Sequence, residues 1–166
     1  MQKPRVVTVY EGARILDGLL PERYLEPISL EVYTNGPEAL DAMNRWPEGT
    51  PCALLIADLR MHPMMGRDFI VAAKEHFPEA RSLLFGVPAD FPYLVEATLQ
   101  DVDAFVFKSV LPPQKRFFPV IDDLLKRYAI QHGDMALAEH FKALQPSSLE
   151  IRYAESKEEI QTCCAI

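Results

Sequence analysis

The most continuous apolar run in the chain is Cys52-Ala53-Leu54-Leu55-Ile56-Ala57, and an acidic residue, Asp58, follows it directly. A run that lacks the 3.6-residue periodicity of a surface helix is typical of a parallel strand covered on both faces. We therefore expect residues 52–57 to form the central strand of a sheet that has helices on both sides. Cys52 is expected to be a small core residue of this strand.

Strand patterns and helix patterns alternate over the first 130 residues. Besides the central run, strands are predicted at 5–10, 28–34, 82–85 and 104–107, and helices at 12–20, from 36 onward, from 66 onward, at 91–100 and at 119–130. This alternation predicts an α/β fold with a parallel sheet. Because right-handed crossovers leave few topologies, we expect a flavodoxin-like, doubly wound five-stranded sheet with strand order 2-1-3-4-5.

The composition excludes some classes of function. The formal net charge is −7 and the pI is about 5.1, and the sequence contains no basic helix, so no general attraction to nucleic acid is expected. No apolar run approaches the ~18 residues that a membrane span needs, and the start of the chain lacks the apolar core of a secretory signal. We therefore expect a cytoplasmic protein that does not bind membranes.

The α/β pattern ends near residue 130, which suggests a domain at 1–130 and a C-terminal extension at 131–166. Within the extension, apolar residues with helical spacing predict one amphipathic helix, followed by a charged tail; they are Met135, Leu137, Ala138, Phe141 and Leu144. The chain ends in Cys163-Cys164-Ala165-Ile166, which resembles a prenylation box. No polybasic stretch precedes it, so we expect no lipid modification. A metal site at this pair of thiols is not expected either, because no histidine or further cysteine lies nearby in sequence.

The carboxyl ends of the predicted strands are the place to look for a functional site, since sites in open parallel sheets form there. Tyr10 and Glu11 follow the first strand, Asp58 the third, Gly86 the fourth and Lys108 the fifth. The sequence therefore predicts that these side chains lie at one edge of the sheet.

The segment that begins at Asp58 reads Asp-Leu-Arg-Met-His-Pro-Met-Met-Gly, so that Met61 and Gly66 stand three and eight positions after the aspartate. Lys108 ends the fifth strand, and Asn35-Gly36-Pro37-Glu38-Ala39-Leu40 opens the second helix, with Asn35 as its expected N-cap. In these features residues 5–130 resemble the CheY-like receiver domain of two-component response regulators. Pro63 stands one position later than the usual proline of that family, and His62 takes its place.

The resemblance implies that Asp58 accepts a phosphoryl group and that Lys108 contacts the group as a point charge. It also implies a Mg²⁺ ion bound by Glu11, Asp58 and the backbone carbonyl of Arg60, because a carboxylate attacks phosphorus only when the phosphoryl charge is neutralised. The side chain of Arg60 is expected to point to solvent. The implied phosphodonor is a histidine kinase or a phosphotransfer protein, and the implied output is contact with a downstream protein target.

Several positions around this site depart from the family pattern. Gly86 stands where receivers have a Thr or Ser, whose hydroxyl meets the phosphoryl group, and Ser82 comes too early to replace it. Val87 replaces a small residue and is expected to narrow the access to the aspartate. Phe105 takes the place of the switch aromatic but has no hydroxyl, and Ser109 replaces the proline that usually follows the lysine.

Two further residues are candidate modulators of the site. Receivers usually have two adjacent acids after the first strand, whereas this chain has Tyr10-Glu11, so one metal-side carboxylate is missing and Mg²⁺ binding is expected to be weaker. His62 lies in the loop after Asp58 and is close enough in sequence to tune hydrolysis, although an exposed loop histidine explains it as well.

Three functions compete for this chain. In the first, Asp58 is phosphorylated with an altered lifetime. In the second, the chain is a pseudo-receiver that signals through binding alone, without phosphorylation. The third is a flavodoxin-like cofactor-binding enzyme, which is disfavoured because Tyr10-Glu11-Gly12-Ala13 is not a phosphate-binding loop. We expect no enzymatic activity beyond self-catalysed phosphoryl transfer to and from Asp58.

A partner surface is expected on the face formed by the fourth helix, the fifth strand and the fifth helix, where receivers commonly dimerise or bind targets. Tyr93, Leu94, Phe117 and Phe118 would make this face apolar. The hypothesis therefore includes a homodimer through this face.

Overall fold

The computed structural model describes residues 2–10, 22–107 and 117–144. Their strands are β1 (Arg5–Val9), β2 (Ser29–Tyr33), β3 (Cys52–Asp58), β4 (Arg81–Gly86) and β5 (Ala104–Phe107). All pairings are parallel, and the strands lie in the order β2-β1-β3-β4-β5. The predicted flavodoxin-like sheet, with its 2-1-3-4-5 order, is therefore confirmed.

The helices of the described residues are α1 (Glu22–Leu25), α2 (Gly36–Asn44), α3 (Gly66–His76), α4 (Phe91–Gln100), α5 (Phe118–Gln131) and α6 (Met135–Leu144). A 3₁₀ turn, Pro88–Asp90, precedes α4. The helix predicted at 12–20 lies outside the described residues, and the sequence patterns did not predict the short α1 that follows Pro21. None of the described helices is long and apolar enough to span a membrane.

The central strand β3 is buried at every position, as its composition predicts. Leu54 and Ile56 face a core shared with α1, α5 and α6, whereas Leu55 and Ala57 face a core shared with α2, α3 and α4. The strand is thus covered on both faces, which explains why its sequence is apolar throughout rather than alternating. Cys52 is buried at its start.

The extension contributes one helix, α6, to the core. Leu137, Ala138 and Phe141 are buried, and the ring of Phe141 lies 6.0 Å from that of Tyr24 in α1. Helix α6 lies where the amphipathic helix was expected, and its apolar face packs together with α1 and α5. Met135 was assigned to that face but is exposed, so that assignment is wrong. The remaining residues of the tail, with Cys163-Cys164, lie outside the described residues.

Helix α5 begins at Phe118 and carries two acidic residues that the apolar stripe did not predict to be buried. Asp122 and Asp123 are both almost completely buried. Asp122 accepts a hydrogen bond from the Tyr24 hydroxyl, and Asp123 forms ion pairs with Lys126 and Arg127. Buried carboxylates are stable only with such partners.

Candidate functional site

Asp58 is the last residue of β3 and lies opposite Phe85 of β4 in the register of the sheet. It is 2 % exposed, and its Oδ1 atom accepts a hydrogen bond of 3.1 Å from the backbone N–H of Arg60. The following residue continues the contact with β4, since the Leu59 N–H donates to the Phe85 carbonyl at 2.8 Å. The candidate phosphoacceptor is therefore a desolvated carboxylate at the carboxyl edge of the central strand.

Gly66 begins α3 and lies directly against the main chain of Asp58. A β-carbon at position 66 would lie 2.0 Å from the Asp58 carbonyl oxygen and 2.8 Å from its carbonyl carbon. The Gly66 N–H also donates to the Leu59 carbonyl at 2.9 Å, which closes the loop between β3 and α3. The glycine eight positions after the aspartate is thus required by a close approach of two backbone segments.

The side chain of Arg60 is exposed, as expected, and it also forms an ion pair that the sequence did not predict. Its Nε atom donates to the Oδ1 atom of Asp90 at 2.6 Å, although 61 % of the side chain is exposed. Asp90 is 2 % exposed. The ion pair connects the loop after β3 to the loop after β4, because Arg60 belongs to the first and Asp90 to the second.

Gly86 ends β4, and two neighbouring side chains lie close to the place that a β-carbon would take. A β-carbon there would lie 3.1 Å from Oδ2 of Asp90 and 3.3 Å from Cδ1 of Leu94. The same Oδ2 atom accepts a hydrogen bond of 3.1 Å from the N–H of Val87. A carboxylate therefore lies beside the position from which receivers project a hydroxyl. Val87 itself is exposed, and its effect on access to Asp58 stays a prediction.

Ser82 bonds to a different part of the molecule. Its hydroxyl donates to Asp103 at 2.9 Å, and its backbone N–H donates to the same carboxylate at 2.8 Å. Lys74 and Arg81 form ion pairs with Asp103 as well. Burial alone would raise the pKa of the Asp103 carboxyl, but Lys74 and the Ser82 hydrogen bonds together lower it below its ordinary value. Ser82 thus belongs to this cluster at the start of β4.

Two aromatic residues named from the sequence lie near the carboxyl ends of the strands. Tyr10 stacks on Phe85, with 5.3 Å between ring centroids and 23° between planes. Phe105 is half-buried and forms an aromatic cluster with Phe91 and Phe107, whose centroids lie 6.3 and 5.6 Å from its own. The ring of Tyr10 therefore packs beside the strand position that pairs with Asp58.

Glu11 and Lys108, which were predicted to complete the site, lie outside the described residues, and His62 is exposed in the loop after β3. Within the described ranges, no three His, Cys, Asp or Glu side chains are close enough to hold a metal ion. The described donors, the Asp58 carboxylate and the Arg60 carbonyl, are nevertheless the oxygen ligands that Mg²⁺ prefers. Mg²⁺ usually keeps several waters, so a site with few protein ligands suits it.

Asp90 is the residue that sequence reasoning missed. The predicted site residues end the strands, whereas Asp90 stands four positions after Gly86, at the start of α4. The usable signal was a combination: a glycine in place of a hydroxyl residue, an acid one turn later, and an arginine two positions after Asp58. Opposite charges on two neighbouring loops favour an ion pair, but no local pattern specifies which charges meet.

The face formed by α4, β5 and α5 is less apolar than predicted. Leu94 and Phe118 are buried in the core, so their assignment to a partner surface is wrong, and Phe117 is half-buried. Tyr93 is 60 % exposed. Leu94 faces inward because α4 packs one side on β4, and Phe118 is covered because Tyr24 lies against it, with ring centroids 5.7 Å apart.

Comparison with solved structures places this fold among known ones. The chain superposes on a structure named adenylate cyclase from Rhodopirellula baltica with a TM-score of 0.67 and 21 % identity, covering 84 % of this chain and 98 % of that one. For the signal receiver domain of an HD domain-containing protein from Pseudomonas fluorescens, the TM-score is 0.64, the identity 16 %, and the coverage 80 % and 94 %.

A response regulator receiver domain protein from Clostridium thermocellum superposes with a TM-score of 0.56 and 12 % identity, covering 84 % of this chain and 95 % of that one. No protein-family model matches the sequence, and no curated protein matches it either. At these identities the superpositions establish the architecture. The five-stranded sheet, its strand order and these superpositions show that the chain has the fold of CheY-like response regulator receiver domains.

Proposed function

We propose that the chain is a response-regulator-like signalling protein in which Asp58 accepts a phosphoryl group. The observation that carries the proposal is the position of Asp58, a buried carboxylate at the carboxyl end of the central strand of a receiver fold. One of its oxygens is held by the Arg60 N–H, and its main chain is held by the close approach of Gly66. A fixed, desolvated carboxylate is a suitable acceptor when the charge of the incoming group is neutralised.

The donor is the phosphohistidine of a histidine kinase or a phosphotransfer protein. A carboxylate oxygen of Asp58 forms a bond to phosphorus, the phosphorus–nitrogen bond of the donor breaks, and the leaving imidazole takes up a proton. Asp58, the Arg60 carbonyl and Glu11 are the proposed ligands of Mg²⁺, which supplies positive charge to the phosphoryl oxygens. Lys108 contacts one of these oxygens. The activity is limited to transfer to and from Asp58.

The output is contact with a downstream protein, and the protein acts in the cytoplasm. The loop that connects β4 to α4 is joined to the Asp58 loop by the Arg60–Asp90 ion pair. It therefore couples the site to α4, whose Tyr93 is exposed, and to the aromatic cluster of Phe91, Phe105 and Phe107. A target or a second copy of the chain would bind on this α4–β5–α5 face.

The second candidate is a pseudo-receiver that binds its partner without phosphorylation. One observation favours it: Gly86 stands where a hydroxyl residue is usual, and the Asp90 carboxylate lies beside it. The site then lacks the hydroxyl that meets the phosphoryl group in receivers. In this case the fold would serve as an interaction platform.

Intact-mass spectrometry after incubation with acetyl phosphate and Mg²⁺ separates the two candidates. We expect one phosphoryl adduct on the wild type and none on Asp58→Asn, and chelation of Mg²⁺ should remove the adduct. The absence of an adduct on both proteins, with circular dichroism showing both folded, would support the pseudo-receiver instead.

A further inference from the structure

Arg60 is bound at both ends by aspartates that lie in different loops. Its backbone N–H donates to Asp58, and its side-chain Nε donates to Asp90. A guanidinium has five N–H donors, of which this ion pair uses one. The remaining donors belong to a side chain that is mostly exposed. Arg60 thus connects Asp58, through its backbone, with Asp90, through its guanidinium.

Asp90 is fixed more firmly than its partner. Its carboxylate is buried, and one oxygen accepts the Arg60 bond while the other accepts the N–H of Val87. The backbone N–H of Asp90 donates to the Val87 carbonyl at 2.9 Å, so the turn between β4 and α4 is bonded in both directions. A buried acceptor in a closed turn holds its donor in one place, and here that donor is the guanidinium.

The same carboxylate lies beside Gly86, where a receiver would carry the hydroxyl that meets the phosphoryl group. A β-carbon at 86 would lie 3.1 Å from Oδ2 of Asp90, so the ion-paired carboxylate is in close contact with that position.

We propose that Asp90 is a positioning residue of the Asp58 site: it holds the Arg60 guanidinium where its other N–H donors meet the oxygens of a phosphoryl-type anion on Asp58. The inference rests on the proposed function, because it names what binds the anion at that site. Arginine suits the task, since its planar fork binds phosphate with directed, charge-assisted hydrogen bonds. The positive charge of the guanidinium also offsets the negative charge of the phosphoryl oxygens, which have no Thr or Ser hydroxyl to bond at position 86.

The test measures the dissociation constant of beryllofluoride, a phosphoryl analogue, by ¹⁹F NMR in the presence of Mg²⁺. The variants are Arg60→Gln, Asp90→Asn and the double variant; Asn keeps an acceptor for the Val87 N–H but removes the charge. Arg127→Gln is the matched control, because it also breaks the pair of a half-exposed arginine with a buried aspartate, Asp123, inside α5. Circular dichroism and urea unfolding establish that each variant folds.

We expect Arg60→Gln to weaken binding about tenfold or more, as for loss of a charge-assisted hydrogen bond. Asp90→Asn should weaken binding severalfold in the wild type and have no effect in the Arg60→Gln background, whereas Arg127→Gln should bind as the wild type does. A purely structural role for Asp90 predicts the same loss in both backgrounds and would overturn the inference. Equal binding by wild type, Arg60→Gln and Asp90→Asn would overturn it while leaving the proposed function standing. No binding by the wild type would overturn both.

Discussion

The main chain of Gly66 lies against the carbonyl oxygen of Asp58, so closely that a β-carbon at 66 would be 2.0 Å from it. The contact is between two backbone segments, and neither can turn away as a side chain can. It fixes the start of α3 relative to the end of β3 and so shapes the loop that carries Arg60. The geometry of the candidate site therefore depends on the absence of one side chain.

Gly66→Ala should destabilise the protein and disturb the site. We expect a loss of about 1–3 kcal/mol or more in the free energy of unfolding, since the backbone has to move to admit the methyl group. Urea unfolding followed by circular dichroism measures it. Gly36→Ala is the control, because its β-carbon meets the flexible Sδ of Met64 at 3.0 Å and a smaller loss is expected. Equal losses would contradict this interpretation of Gly66.

Most of the fold was predictable because local patterns and the chain's right-handed connections specify it. The run at 52–57 predicted a doubly covered strand, and β3 is buried throughout. The predicted cap is present as well, since Asn35 Oδ1 accepts the Glu38 N–H at 2.9 Å. Both features depend on residues that are neighbours in sequence, which is why the sequence alone contains them.

What sequence reasoning missed depends on contacts between distant segments. Arg60 and Asp90 are thirty residues apart and meet only because β3 and β4 are adjacent in the sheet. The burial of Asp122 has the same origin, since its partner Tyr24 comes from α1, at the other end of the chain. Charge and hydropathy patterns give the exposed or buried tendency of one residue, but not the identity of a tertiary partner.

Helix α6 should contribute substantially to stability although it follows the α/β pattern. Phe141→Ala leaves a cavity beside Tyr24, and we expect a loss of about 3–5 kcal/mol in the free energy of unfolding. Met135→Ala in the same helix is the control, since Met135 is exposed and less than about 0.5 kcal/mol is expected. Urea denaturation of both variants measures the difference. An equally small loss in the free energy of unfolding for Phe141→Ala and Met135→Ala would mean that the packing of α6 on α1 and α5 contributes little to stability.

Asp103 should make stability depend on pH in a definite direction. The pKa of its carboxyl is lowered in the folded state. The ionised carboxylate therefore adds to the free energy of unfolding above the unfolded-state pKa of about 4, and this contribution is lost as the pH falls through the lower folded-state pKa. We expect Asp103→Asn to cost about 1–3 kcal/mol at pH 7. The difference in the free energy of unfolding between Asp103→Asn and the wild type should become smaller in strongly acidic solution. Urea unfolding at several pH values provides the measurement. If the difference between the two proteins stayed the same at every pH, the ionised carboxylate would not be the source of the stabilisation.

Cys52 should be unreactive while the protein is folded. Burial raises the pKa of its thiol to about 12, and only the thiolate is an effective nucleophile. We expect no alkylation of Cys52 by iodoacetamide at pH 8 in the native protein and complete alkylation in urea, as measured by peptide mass mapping. Rapid native alkylation would mean that the start of β3 opens readily.

The proposed function requires that Asp58 itself receives the phosphoryl group. Borohydride reduces an aspartyl phosphate to homoserine, which marks the modified position permanently. After treatment with acetyl phosphate, Mg²⁺ and borohydride, tryptic mapping of residues 46–60 is decisive, because Asp58 is the only aspartate in that peptide. We expect homoserine at position 58. Homoserine at another aspartate, or at none in a folded protein, would contradict it.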